Sequence, residues 1–336
     1  MAVDSTPWFV GGGAEHSPEV ARFLAYMATG AAEGVAAVAD LKVTALPVPG
    51  GAVRVMPGGA LIRNRYAGGG QQSYALRNPT ATDVTIGSTG SAGGRTDLVV
   101  ARVLDPQYEG QPPADPLAFD YARLRVIQGV PAGTRTAQEL NLGYPAVALA
   151  RVTLPASTAT VQAAHITDLR EVANPKYHVE PRTHAQLNGD GQQLLTAQNA
   201  YPVGQYFPPL GGNGGESKVH TIRIPEWATE MTIEARWLSV WLKEFSRKGA
   251  YWVTFDTVVK NNPAYYTQSF AWASEDTSSR QTWVAADTIS VPEEYRGRDV
   301  HFALRAKRDG GNDFGEVYTD GASGTTLRVE FFERAK

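Results

Sequence analysis

The residues with the greatest potential for binding chemistry in this sequence are aromatic. Six of the seven tryptophans lie after residue 216, in a region that is also rich in tyrosine. Sugars pack their flat C–H faces against such rings, whereas large aromatic side chains also fill β-sandwich cores, so we expect most of these tryptophans to be buried. We expect the aromatic residues that remain exposed to form a glycan-binding platform. The candidates for it are Tyr251, Tyr265, Tyr266, Trp272 and Trp283.

Residue patterns typical of enzymes do not occur. The sequence has no cysteine and no HExxH, GxSxG, Walker or dinucleotide-binding pattern. A polysaccharide depolymerase needs two carboxylates facing each other across about 5–9.5 Å, and the neighbours Glu293 and Glu294 would point to opposite faces of a strand. We therefore predict a protein that is not an enzyme and needs no cofactor.

Two groups of residues have types that bind metal ions. His178 and His184 lie six residues apart, and copies of one histidine could meet on the axis of a symmetric oligomer. Oxygen ligands that suit calcium occur in the glycine-rich loop 309–316, but their spacing does not match an EF-hand. These ligands are Asp309, Asn312, Asp313 and Glu316. Solvent-exposed histidines and an ordinary polar hairpin loop are the favoured interpretations, so we predict no metal site.

The bulk composition restricts the class of protein. Lys plus Arg (31) and Asp plus Glu (34) leave a net charge of −3, which argues against a nucleic-acid backbone binder. The lack of cysteine excludes disulfide bonds and thiolate chemistry. The N-terminus has no basic segment followed by an apolar run, so we expect no signal peptide. No stretch approaches the ~20 apolar residues of a membrane span, so we expect no membrane insertion.

The elements that would position these residues are mostly β-strands. One helix is predicted within residues 17–38, with Ser17 as its cap and an apolar face formed by Val20, Phe23, Leu24 and Met27. The Ala/Gly-rich continuation to Ala39 is compatible with either helix or loop. We predict a mainly β chain in three parts. These are an N-terminal β-rich module with one helix (1–175), an extended neck rich in Pro, Asn, Gln and Gly (176–215), and a C-terminal, jelly-roll-like β-sandwich (216–336).

A series of motifs occurs in order between Gly93 and Pro175. Arg95-Thr96-Asp97 opens an apolar strand that is followed by Asp105, and a Gly129–Pro131 turn, the apolar strand Ala146–Leu154 and Ile166-Thr167-Asp168-Leu169-Arg170 come next. This order resembles the N-terminal module of tail-tip, baseplate and receptor-binding proteins of tailed bacteriophages. The opening, residues 6–35, also resembles minor tail proteins of phages that infect actinobacteria. In physical terms, the charges of Arg95, Asp97, Asp168 and Arg170 flank strands and would pair to set their register.

The resemblance implies a structural virion protein of the tail tip or baseplate, assembled in the host cytoplasm. It implies that the first half of the chain attaches to other tail-tip proteins and that the protein is a homotrimer. The C-terminal part resembles jelly-roll modules that bind host cell-wall glycans, which predicts a role in host adsorption. The alternative is a purely structural tail component whose C-terminal domain packs on neighbouring tail proteins, and the sequence leaves both open.

Overall fold

The chain divides into two compact units, described here from a computed structural model. The first contains Met1–Pro175 with Arg334–Lys336, and the second contains Lys176–Glu333. The structure describes residues 17–185, 193–208, 219–243, 247–274, 278–309 and 316–335. No helix in these ranges has the length and apolar character that a membrane span requires.

The helix α1 (Pro18–Ala28) opens the described part of the first unit. Ser17 caps it through a side-chain oxygen that accepts from the Val20 amide, and Pro18 occupies the first turn, as predicted. The helix ends at Ala28, so the Ala/Gly-rich continuation does not extend it, because Gly30 and Ala31 adopt left-handed φ angles of 60° and 61°. None of its residues is buried, so the predicted apolar face is only partly covered.

Three antiparallel sheets form the rest of the first unit, in the strand orders β1-β4-β5, β2-β3-β6 and β10-β9-β7-β8. Their strands are β1 (Gly34–Val35), β2 (Val43–Ala45), β3 (Ala52–Val55), β4 (Gly58–Arg63), β5 (Ser73–Asn78), β6 (Thr82–Thr85), β7 (Arg95–Val103), β8 (Ala122–Ile127), β9 (Ala146–Leu154) and β10 (Ile166–Asp168). Short 3-10 helices lie at Gln138–Leu140 and Ala163–His165.

Strand β7 is covered on both faces. Val99 and Ala101 belong to one apolar cluster of the first unit, whereas Leu98 and Val100 belong to another. A strand buried on both sides has no polar face, and for this reason residues 98–101 read as a continuous apolar run.

The second unit consists of two antiparallel sheets of six strands. In the first, the order is β11-β22-β15-β21-β12, with β19 also on β15; in the second it is β13-β20-β16-β17, with β14 on β20 and β18 on β16. The strands are β11 (Tyr177–Ala185), β12 (Gln193–Leu194), β13 (Gln205–Tyr206), β14 (His220–Arg223), β15 (Glu230–Lys243), β16 (Arg247–Asp256), β17 (Tyr265–Tyr266), β18 (Phe270–Ser274), β19 (Ser278–Ser290), β20 (Asp299–Arg308), β21 (Val317–Thr319) and β22 (Gly324–Phe332). A 3-10 helix spans Glu293–Tyr295.

The two sheets share one core. Strand β15 alternates buried and less buried residues, and its inward Ile233 and Trp237 belong to the same cluster as Val253 and Phe302 of the facing sheet. This arrangement confirms the predicted mainly β fold with a β-sandwich in the C-terminal part.

The described parts of the predicted neck are strands of this sandwich. Residues 177–185 pair with β22 along their whole length, and β12 and β13 pair with β21 and β20. Leu195 and Phe207 are fully buried in the shared core. The linker interpretation is thus corrected for these stretches, because their backbone groups are satisfied by strands more than a hundred residues away, which local composition does not reveal.

Candidate functional site

The first charged motif forms a clamp at the start of β7. The guanidinium of Arg95 donates to both carboxylate oxygens of Asp97, at 2.7 and 2.9 Å, and also to the carbonyls of Gly87 and Ser88. Asp97 has no exposed surface and accepts from the backbone amide of Gly129 at 3.0 Å. The pair therefore connects three separate segments of the first unit.

In the second charged motif, the arginine Arg170 is more deeply buried than Arg95 of the first motif. Arg170, 4% exposed, donates to both oxygens of Asp168 and to the carbonyls of Val38 (2.8 Å) and Asp40 (2.6 Å). Burial raises the pKa of the Asp168 carboxyl, but the hydrogen bonds from Arg170 lower it more, so this pKa lies below its usual value. In each motif the arginine pairs with the aspartate of the same motif. These contacts stabilise the fold of the first unit.

Three of the five predicted glycan-binding residues are buried in the sandwich core. Trp283, Trp272 and Tyr251 are 2%, 5% and 8% exposed. Trp283 stacks on Trp272 and on Tyr251, with centroid separations of 5.2 and 5.1 Å. Rings packed face to face in a core offer no face to a sugar, so the prediction is corrected for these three residues.

A glycine explains how the Trp272 ring reaches the core. Trp272 lies opposite Gly249 in the β16–β18 pair. A Cβ atom at Gly249 would come within 2.7 Å of the Trp272 ring and would also collide with the carbonyl of Lys307. The lack of a side chain at residue 249 therefore makes room for the indole over the sheet.

Tyr265 and Tyr266 lie at the surface of the sandwich in different settings. Tyr265 is half-buried against Phe255, and its hydroxyl donates to Glu294 at 2.7 Å. That hydrogen bond raises the pKa of Tyr265 above its usual value. Tyr266 is 41% exposed and meets the edge of Tyr201 at 4.8 Å. Tyr266 is thus the predicted platform residue with the most accessible ring.

The polar residue Gln268 follows Tyr266 by two positions. Gln268 is exposed, and its backbone amide donates to Asp287 at 2.8 Å. Burial, together with the charges of Tyr266 and Asp287, raises the pKa of Tyr201 to about 12. We call Tyr201, Tyr266, Gln268 and Asp287 the Tyr266 surface. An accessible ring beside an amide and a carboxylate has the chemistry needed to hold a sugar.

Sequence reasoning missed a second aromatic group, formed by Trp241 and Tyr318. These residues lie in one row across the sheet that contains β15. The register places Trp241 opposite Arg280 on one side and Tyr318 on the other. The ammonium of Lys243 lies 4.4 Å from the Trp241 ring centre, and the Arg280 guanidinium lies 5.2 Å from it. Only the strand register reveals this row, because its members come from strands distant in sequence.

Within one chain, the candidate metal ligands that the structure describes form no common site. His178 is exposed and contacts Glu180 at 2.8 Å, whereas His184 lies near His220. Asn312 and Asp313 of the candidate calcium loop lie outside the described residues. Among the residues that are described, no group of three or more His, Asp or Glu side chains has a geometry that could hold a metal ion.

His220 gives the second unit a predictable acid sensitivity. Burial, together with the charges of His184 and Arg182, lowers the pKa of His220 to about 4 from its usual value of 6.5. A lowered folded-state pKa means that the neutral form stabilises the fold above pH 6.5, and that this contribution is lost as the pH falls to 4. We expect the free energy of unfolding of the second unit to fall by about 2–3 kcal/mol across this window.

The test of this acid sensitivity is chemical unfolding followed by tryptophan fluorescence at several pH values. No described residue forms a hydrogen bond with the buried Nε2 atom of His220, so His220→Leu removes no hydrogen bond at that atom. We expect this variant to lose most of the pH dependence between 6.5 and 4. An unchanged slope in His220→Leu would contradict the assignment.

Comparisons with known proteins do not identify the chain. No protein-family model matches it, and no curated protein matches it in sequence. Among solved structures, that of the T13 IBDV viral particle matches with a TM-score of 0.21 and 8% identity, covering 87% of this chain and 71% of that chain. The infectious bursal disease virus VP2 subviral particle matches with a TM-score of 0.18 and 9% identity, covering 91% and 72%. The insecticidal delta-endotoxin Cry8Ea1 of Bacillus thuringiensis matches with a TM-score of 0.18 and 8% identity, covering 91% and 52%. Similarity this low supports no inference about what the chain does.

Proposed function

We propose that the chain is a non-enzymatic structural component of a virus particle, located at the tail tip or baseplate of a tailed bacteriophage. The proposal rests on the hydrogen bonds that the charged residues of the ordered motifs form in the first unit. Arg95 with Asp97, and Arg170 with Asp168, form bidentate pairs. The same residues hold separate segments of the first unit together through hydrogen bonds to the backbone of Gly87, Ser88, Gly129, Val38 and Asp40. Such clamps suit a rigid attachment module better than a catalytic centre.

In the finer form of the proposal, the second unit binds a host cell-wall glycan through the Tyr266 surface. This surface combines the partly exposed ring of Tyr266 with the exposed side chain of Gln268 and the carboxylate of Asp287. The burial of Trp272, Trp283 and Tyr251 favours the second candidate, a purely structural component whose sandwich packs on neighbouring tail proteins. The two candidates share the virion location and differ in whether the chain contacts the host.

The location is tested on intact particles. Antibodies raised against the full chain are applied to purified virions of the phage that encodes it and are visualised by immunogold electron microscopy. We expect gold at the end of the tail. Label on the capsid, or no label on particles that denaturing immunoblots show to contain the chain, would overturn the tail-tip assignment.

Glycan binding is tested with the labelled full chain on intact actinobacterial cells and on their extracted wall glycan. We expect saturable binding that free glycan competes away, and about tenfold weaker binding by Tyr266→Ala, because one stacking face is lost. Tyr177→Ala is the matched control, since Tyr177 of the same unit is 53% exposed and lies outside the Tyr266 surface. Absence of binding by the wild-type chain would support the purely structural candidate, and release of reducing ends from the glycan would contradict the non-enzymatic role.

A further inference from the structure

An arginine is buried on the face of the second unit's β16–β20 sheet that points away from the shared core. Arg305 of β20 is 1% exposed, whereas its neighbours Leu304 and Ala306 belong to the core of the sandwich. Successive residues of a strand point to opposite faces, so the guanidinium lies on the outer face of this sheet. Arginine is seldom buried to this degree unless its charge is paired. The groups around the guanidinium therefore decide how its charge is balanced.

Uncharged groups surround the guanidinium of Arg305. Its central carbon lies 3.5 Å from the centre of the Tyr206 ring, and Tyr206 also forms a hydrogen bond with it. Its Nε atom donates to the hydroxyl of Thr254 at 3.3 Å, and a terminal nitrogen donates to the backbone carbonyl of Lys260 at 3.0 Å. In the part of the chain that the structure describes, no carboxylate pairs with Arg305. These contacts satisfy N–H donors but supply no negative charge.

Another arginine of the same unit shows what a carboxylate partner does. Arg280 donates to both oxygens of Asp320, at 3.0 and 2.6 Å, and this pairing raises the pKa of Arg280. Burial instead lowers the pKa of Arg305 below its usual value, although the contact with Tyr206 raises it. A buried charge without a counter-charge is costly, and an anion bound beside it removes much of that cost.

A small cavity lies beside the guanidinium, and we call it the Arg305 cavity. Its volume is about 10 Å³, close to the space that one water molecule requires. Val258 of the lining is 54% exposed, and the side chain of Lys260 is 42% exposed, so the cavity lies near the surface of the unit. A single small ligand therefore fits next to Arg305. The polar part of the lining consists of Tyr206, Thr254, Asp256, Lys260, His301 and Arg305.

The charges of this lining do not cancel. Lys260 and Arg305 are cationic, and Asp256 is the carboxylate among the lining residues. Asp256 already accepts from the ammonium of Lys260 at 2.6 Å, from the hydroxyl of Tyr295 at 3.0 Å, and from two backbone amides at 2.8 and 2.9 Å. Burial raises the pKa of Asp256, but these hydrogen bonds lower it more, so the carboxylate stays ionised and engaged. The charge of Arg305 is the one left without a counter-charge.

From this geometry we propose that the Arg305 cavity binds one small inorganic anion of the size of chloride. The guanidinium supplies the charge, and it has more N–H groups than Thr254, Lys260 and Tyr206 use. Hydrogen bonds between a charged donor and an anion are among the stronger ones in proteins. The small volume selects against whole polyatomic anions such as sulfate. The site goes beyond the proposed function and does not depend on it, because it needs neither host nor glycan.

The first test measures chloride binding to the full chain by the line width of the chloride NMR signal. Bound chloride in an asymmetric site relaxes faster than free chloride, so we expect an excess line width that saturates as chloride is added. Arg305→Met removes the charge and should weaken chloride binding by about 10- to 100-fold. Arg236→Met is the matched control, because Arg236 lies on β15 of the same unit with 52% of its side chain exposed. Circular dichroism shows whether each variant is folded.

The second test uses the wild-type chain alone, so it holds even where Arg305→Met does not fold. Thermal unfolding is followed by tryptophan fluorescence in sodium chloride and in sodium methanesulfonate at equal ionic strength. Methanesulfonate is also monovalent but is too large for the cavity. A ligand that binds only the folded state stabilises it, so we expect a higher Tm in chloride, rising with its concentration.

Three results would each overturn the proposal. One is a wild-type chain that causes no excess line width. Another is an unchanged excess in folded Arg305→Met, which would place the bound chloride elsewhere. The last is an equal Tm in the two salts, which would mean that a group of the chain itself balances the charge of Arg305.

Discussion

Replacement of Arg170 by methionine is expected to lower the free energy of unfolding of the first unit by about 3–5 kcal/mol. The side chain of Arg170 has no exposed surface. Its loss leaves the carbonyls of Val38 and Asp40 without this donor, and leaves the carboxylate of Asp168 with the backbone amide of residue 170 in place of a guanidinium. A half-buried carboxylate that has lost its cationic partner costs more than methionine packing returns.

The matched control for this prediction is Arg54→Met. Arg54 pairs with Asp83 through the same bidentate geometry, at 2.7 and 3.0 Å, but both side chains are well exposed. Exposed pairs contribute little, so we expect almost no change in stability. Denaturant unfolding is followed by far-UV circular dichroism for the whole chain and by tryptophan fluorescence, which reports mainly the second unit since six of the seven tryptophans lie there. Equal effects of Arg170→Met and Arg54→Met would contradict the clamp.

Truncation of Trp283 to alanine is expected to destabilise the second unit by about 3–5 kcal/mol. The ring is 2% exposed, lies between other rings of the core, and donates from its Nε1 atom to Gln281 at 3.2 Å. Removal leaves a cavity that the facing strands of a sandwich cannot close by a small movement. Thermal and denaturant unfolding of the full chain measure the effect.

Tyr266→Ala separates a core role from a binding role. Tyr266 is 41% exposed and lies outside the core, so its removal should change stability less than truncation of Trp283 while it weakens glycan binding. Trp283→Ala should do the reverse under conditions where the variant is folded. Wild-type stability of Trp283→Ala, together with loss of glycan binding, would restore Trp283 as a contact residue and contradict the core assignment.

Local signals in the sequence predicted several elements well. The strand Ala146–Leu154 has the predicted bounds, because an apolar run between a Pro-containing turn and a Pro-containing loop is a local feature. The cap at Ser17 was predicted correctly for the same reason, whereas the sequence left the end of the helix open. The left-handed turn at Gly30 and Ala31 ended the helix within an Ala/Gly-rich stretch that is compatible with either state.

The sequence by itself determined the β class of the chain, the concentration of aromatic residues in its second half, and the motif order with its paired charges. Tertiary structure decided which aromatic rings are accessible, since an inward and an outward ring on a strand have the same local pattern. It also decided that Tyr177 pairs with Phe332, and that β7 pairs with both β8 and β9. These relations depend on strand register between distant segments, and register is set by the packing of whole sheets, which no local stretch of sequence encodes.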